Sequence, residues 1–165
     1  MIYRNATIND AAAIANLHAE SWRNTYRGMM SDAYLDGDVF EERFKHWKAR
    51  FDLPKDNQYI IVAIENDKLV GFACVFGDDD AKWGSLIDNL HVRPDLKRQG
   101  IGKYLIQKAM SWVHEHYPEK GVYLWVFEDN IASRRFYEAI GGINVEKIWH
   151  PNEDGTAAYA LRYAW

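Results

Sequence analysis

Residues 89–103 constrain the fold more than any other stretch of the chain. An apolar strand runs into a Pro turn, a basic loop with two glycines follows, and an amphipathic helix begins. Ile101, Leu105, Ala109, Trp112, Val113 and His116 then recur at helical spacing, so one side of this helix must pack. Pro118 and Gly121 end it. The apolar run at 122–127 that comes next reads as a strand covered on both faces. Strand, helix and strand in that order need a crossover, and a crossover makes the two strands parallel. Gly100 and Gly102 leave the backbone clear where the helix starts. The free N–H groups and positive dipole end of that helix start form a site for a phosphate or pyrophosphate. Lys97, Arg98 and Lys103 add positive charge around it.

The remaining elements follow from pattern and punctuation. Residues 2–6 form a short strand, and Thr7 with Asp10 makes a capping box that opens a helix to about residue 22. Residues 22–30 form a polar-aromatic connection, and an intermittent helical region runs over 31–50. Strands at 59–64 and 69–76 flank the tight turn at 65–68. An acidic turn at 77–80 leads to a strand over 83–92. A second helix over 131–140 stops at Gly141-Gly142, and strands at 143–149 and 157–163 close the chain as a hairpin. The expected architecture is α/β (α+β). It has one domain over 1–165, with a mixed, mostly antiparallel sheet of about seven strands and about four flanking helices.

Two familiar phosphate loops do not fit the glycine segment. A P-loop needs Ser or Thr after Gly-Lys, and Tyr104 stands there; a dinucleotide fingerprint needs a third glycine and a downstream acid. The segment is instead similar to the acyl-CoA loop of the GNAT superfamily of N-acetyltransferases, Gln/Arg-x-x-Gly-x-Gly/Ala. Lys97-Arg98-Gln99-Gly100-Ile101-Gly102 matches it, with Lys in the first position in place of the usual planar donor. A second segment agrees. Asn130, Ser133 and Tyr137 match the family's Asn-x-x-(Ala/Ser)-x-x-x-Tyr stretch. By helical spacing these three stack on one stripe, with Asn130 as N-cap, while Ala132, Phe136 and Ile140 form an adjoining apolar stripe that anchors the helix.

The resemblance covers nearly the whole chain and implies acetyl-CoA as co-substrate. It also implies that the fourth and fifth strands splay apart to admit the pantetheine arm. The cofactor-binding residues it implies are Leu90, His91, Val92, Lys97, Arg98, Gln99, Gly100, Ile101, Gly102, Lys103, Asn130, Ser133 and Tyr137. The reaction would be acetyl transfer to a primary amine of a small molecule or peptide. An acyl-CoA-binding module without catalysis is the alternative.

Two proton problems set the chemistry. An alkylamine with a pKa near 10.4 is neutral only about once in 2,500 molecules at pH 7, a deficit of about 4.6 kcal/mol. The leaving thiolate, from a thiol with a pKa of about 8.5, needs a proton. Tyr137, at the matching family position, is the expected general acid. Backbone N–H groups along Leu90-His91-Val92 are the expected oxyanion donors. Asp88 is the nearest carboxylate to serve as base, and alternation puts it on the side of Leu90 and Val92, opposite Asn89 and His91. His91 has a suitable unperturbed pKa but, on the opposite face, reads chiefly as packing. Trp22 and Tyr26, four apart, are the expected acceptor walls, with packing of the first helix as the other reading.

The bulk numbers exclude several classes. A net charge of −4 without a long basic run disfavours nucleic acid. No apolar stretch is long enough to span a membrane, and no secretory signal opens the sequence, so a cytoplasmic location is expected. Cys74 is the sole cysteine and reads as core filler, and the six histidines form no metal set. The aromatic carboxyl end, 161–165, implies burial against the sheet or against a second subunit in a homodimer.

Overall fold

The computed structural model describes residues 1–165 throughout. Strands β1 (Ile2–Asn5), β2 (Gln58–Glu65), β3 (Lys68–Asp80), β4 (Gly84–Val92), β5 (Val122–Phe127), β6 (Ile143–Pro151) and β7 (Ala157–Ala164) build one sheet in the order β1-β2-β3-β4-β5-β7-β6. Every neighbouring pair is antiparallel except β4 and β5. Five α-helices flank the sheet: α1 (Ala11–Thr25), α2 (Asp32–Asp36), α3 (Val39–Asp52), α4 (Ile101–His116) and α5 (Ile131–Ala139). The count exceeds the expected four because the 31–50 region breaks at Gly37-Asp38 into two helices.

Alternation along β2 and β3 divides the core. Ile60, Val62, Phe72, Cys74 and Phe76 meet Ile14, Leu17 and Trp47 of α1 and α3. Ile61, Ala63 and Ala73 meet Ile101 and Leu105 of α4 on the other face. Beyond them Val75, Ile87 and Leu124 join Ile106, Ala109 and Val113 of α4 and Tyr137 of α5. The α4 periodicity read from sequence is thus the packing face as far as Val113, while His116 in the last turn is exposed. Cys74 is fully buried, and burial pushes its thiol up to about 12.

Two element boundaries move from their expected places. The acidic residues Asp78, Asp79 and Asp80 continue β3 instead of forming a turn, because an irregularity between Phe76 and Asp80 carries the strand onward to pair with Gly84. At the amino end, Asp10 accepts the Thr7 N–H at 2.7 Å and also pairs with Arg4 at 2.8 Å. That box closes a short 3₁₀ turn, Ile8–Asp10, and α1 then runs on to Thr25. Trp22 is therefore helical, and Tyr26 is the helix's C-cap.

Candidate active site

The site begins where the sheet comes apart. β4 and β5 pair only at Ser85–Val122 and Leu86–Tyr123. Past these positions the β5-facing edge of β4 has no ladder partner, and a cleft of about 630 Å³ opens between the strands. The size suits a cofactor-sized ligand. A bulge accompanies the split: Cys74 and Val75 are consecutive on β3, but their β4 partners Asn89 and Ile87 have Asp88 between them. An extra residue of this kind breaks alternation and bends the strand.

The bulge corrects the expected facing of Asp88. Its carboxylate Oδ2 meets Nη1 of Arg50 on α3 at 2.7 Å, on the side shared with Asn89 and His91, not that of Leu90 and Val92. Asp88 still lines the cleft.

At one end of the cleft the chain turns through Arg98 (φ 64) and Gly100 (φ 87) into α4. The left-handed conformation at Arg98, strained for a residue with a Cβ, was not legible from the motif. No side chain caps α4, so the N–H groups of its first turn are free for a ligand. A Cβ on Gly100 would meet nothing within 4 Å. Here the glycine serves backbone conformation and open space, not core packing. Lys97, Arg98 and Lys103 are exposed around this helix start and line the cleft with Arg135 of α5, a contributor the sequence did not single out. Gln99 and Ile101 do not line it. Gln99 points to solvent, while Ile101 is buried under β3 and β4, so the motif's middle residues shape the loop from outside and below.

The opposite wall is α5. Asn130 is its N-cap and accepts from the Ser133 N–H at 3.3 Å. Asn130, Ser133 and Tyr137 all face the cleft, as their spacing predicts. Of the adjoining stripe, Phe136 and Ile140 pack against the core as expected, whereas Ala132 is exposed. Ala132 and Phe136 also line the cleft, and the one buried side chain of α5 is Tyr137 itself. The Tyr137 ring packs among Phe136, Tyr163 and Trp165, yet its hydroxyl makes no hydrogen bond to protein. Burial raises its pKa, which keeps the phenol protonated.

Ser21, Thr25 and Tyr26 of the α1 end face Asp88, Asn89 and His91 across the far part of the cleft. Burial pushes the Tyr26 hydroxyl up to about 12. Trp22 is not a wall of the cleft: it lies behind, under the Arg43 guanidinium at 4.4 Å and edge-on to His18. His91 shares a hydrogen bond between its Nδ1 and Ser21 Oγ at 2.8 Å, and stacks near buried His18, 4.6 Å between ring centres. His18 is fixed by the Trp47 indole, which donates to its Nδ1 at 2.9 Å. Burial, then the charges of Lys97 and Arg43, push His91 down to about 3, so it is neutral at ordinary pH and a poor proton acceptor. The loop between β6 and β7 is tied to the α2–α3 region behind this end. Glu153 accepts from Tyr34 and Arg43, and Asp154 accepts the Ser31 N–H at 2.6 Å. Nothing in the local sequence announces these long-range contacts.

Such a cleft, with an uncapped glycine helix start at one end and a protonated phenol at its wall, can be compared with known proteins. Residues 13–142 match the family described as "Acetyltransferase (GNAT) family". The chain belongs to the GNAT acetyltransferase family. An uncharacterized N-acetyltransferase of Archaeoglobus fulgidus is 32% identical over 146 residues, covering 83% of this chain and 89% of that protein. A spermine/spermidine N(1)-acetyltransferase of Bacillus subtilis is 33% identical over a shorter stretch of 79 residues, 44% of this chain and 51% of that protein. The fold is that of the PaiA N-acetyltransferase from Thermoplasma acidophilum, solved in complex with coenzyme A. The TM-score is 0.77 at 17% identity, over 99% of this chain and 98% of that one. The open β4–β5 pair of this GNAT chain and its free helix start fit acetyl-CoA as the co-substrate. No helix is long and apolar enough to cross a membrane.

Proposed function

We propose that residues 1–165 act as one acetyl-CoA-dependent N-acetyltransferase domain that passes an acetyl group directly to a primary amine. One observation carries this reading: the unpartnered Tyr137 hydroxyl sits on the wall of the cleft left open between β4 and β5. Acetyl-CoA supplies an activated thioester. The N–H groups at the start of α4, with Lys97, Arg98 and Lys103, bind the diphosphate, and Asn130 and Ser133 border the arm. The neutral amine nitrogen bonds to the acetyl carbon while the carbon–sulfur bond breaks, and the nitrogen then loses its surplus proton to solvent to become the amide. Tyr137 gives its hydroxyl proton to the departing sulfur and recovers one from solvent. Backbone N–H groups of Leu90 and Val92, on the free edge of β4, bear the developing oxyanion charge; the expected third donor, the His91 N–H, faces β3 in register with the Arg93 N–H that bonds Val70.

The amine's proton needs an exit, and Asp88 is the group we assign to it. Arg50 engages Oδ2 only, so Oδ1 is available to accept from the acceptor ammonium. Tyr26 and Thr25 wall the acceptor on the α1 side. The spermine/spermidine enzyme among the relatives supports an alkylamine as the acceptor class. A second reading, an acyl-CoA-binding module without turnover, is favoured by the Arg50–Asp88 pair, which occupies part of the one carboxylate lining the cleft.

Free-thiol release from acetyl-CoA separates the two. A panel of polyamines, amino acids and short peptides should contain at least one acceptor that releases thiol well above hydrolysis. Thermal protection by CoA with no acceptor in the panel would support the silent module instead.

A further inference from the structure

We propose that Arg50 is a positioning residue of this site, a clamp that fixes the β4 bulge and thereby holds the β4–β5 cleft open. The inference rests on the reading of that cleft as the acetyl-CoA site.

A single nitrogen of Arg50, Nη1, lies 2.7 Å from Asp88 Oδ2 and 3.0 Å from Asn89 Oδ1. These two side chains are consecutive in sequence. In a regular strand consecutive side chains leave opposite faces of the sheet, so one nitrogen cannot reach both. The double contact is compatible only with the bulged register, in which Asp88 is the extra residue between the partners of Cys74 and Val75. Arg50 therefore selects the bulge over the in-register strand.

The guanidinium is itself held. It lies over the Trp47 and Phe76 rings at 5.0 Å each and reaches Cys74 Sγ at 3.5 Å, and its side chain is mostly buried. The clamp is thus anchored to α3 and to buried residues of β3. Its position along β4 matters. The last β4–β5 pair is Leu86–Tyr123, and the bulge follows within two residues. Without the clamp β4 can relax toward regular pairing, which re-aims the edge at Leu90, His91 and Val92 and narrows the gap. A bulge next to a functional site commonly re-aims side chains in this way.

The test compares CoA binding by calorimetry for the parent, Arg50→Met, the double variant D88A/N89A, and the combination of all three changes. Met keeps an unbranched apolar stem between the two rings. Arg50→Met should weaken CoA about tenfold, and D88A/N89A by a similar factor. The combination should be no weaker than about tenfold, because all three changes remove one clamp. Independent contributions would multiply to about a hundredfold and would overturn the proposal, as would Arg50→Met binding within twofold of the parent. Should Arg50→Met fail to fold, D88A/N89A leaves the buried arginine in place and carries the same test; binding within twofold of the parent again overturns it. A parent that binds no CoA removes the site reading itself, an outcome distinct from any difference among variants.

Discussion

Replacing Tyr137 by Phe removes one oxygen and leaves the ring. The hydroxyl has no protein hydrogen-bond partner and the residue is 9% exposed, so the change strands no buried donor or acceptor. Its contacts with Phe136, Tyr163 and Trp165 are ring contacts that Phe reproduces. Stability should stay within about 1 kcal/mol of the parent. Turnover is another matter. A positioned proton donor contributes roughly 10²–10⁴-fold, about 2.7–5.5 kcal/mol of barrier. At pH 7 a thiolate with pKa of about 8.5 gains about 2 kcal/mol on protonation, most of the lower bound of that range; the rest must come from delivering the proton as the carbon–sulfur bond breaks. The assay is thiol release under saturating acceptor, with CoA affinity measured separately by calorimetry. The expected result is kcat reduced at least a hundredfold with Kd for CoA within twofold. A folded Tyr137→Phe variant retaining kcat within threefold would refute the acid role.

Other outcomes follow from the same geometry. Gly100→Ala should cost about 1 kcal/mol of stability through its left-handed backbone (φ 87), with no clash, yet weaken CoA at least tenfold by placing a methyl in the diphosphate site; melting and calorimetry read the two separately. Acidification should destabilise the fold well above the carboxylate range. His18 and His91 are held neutral with folded pKa values below the unfolded value near 6.5 (about 3 for His91), so the unfolded state binds more protons as pH falls. His91 should remove about 1 kcal/mol between pH 7 and 5.5, roughly 3 °C in melting temperature, and His18 adds to the loss. His46, lowered to about 4, acts in the same direction. Asp10 and Asp154 are depressed, the latter to about 2, and add their loss only at more acid pH. A melting temperature flat from pH 7 to 5.5 would contradict the buried-neutral histidines.

Much of the architecture could be read from the chain because period and punctuation agree. The α4 face, the β5 run and the Asn130–Ser133–Tyr137 stripe are local patterns, and local patterns survive folding. What escaped was set by contacts distant in sequence. The facing of Asp88 depends on a bulge, and the bulge depends on Arg50, 38 positions earlier along the sequence. Trp22 and Tyr26 share a helical spacing, but Arg43 draws Trp22 away from the cleft while Tyr26, at the helix end, faces it. Within the glycine loop, the motif named six residues and the fold separates them, sending Ile101 into the core and Gln99 to solvent. Arg135 joined the basic rim only through the placement of α5 against α4's start.

The measurement closest to the central claim is calorimetric titration of the folded chain with CoA. The account predicts one molecule bound per chain, with affinity that falls as salt rises because Lys97, Arg98, Lys103 and Arg135 border the helix start. Titration of well-folded protein that releases no heat with either CoA or acetyl-CoA would contradict it.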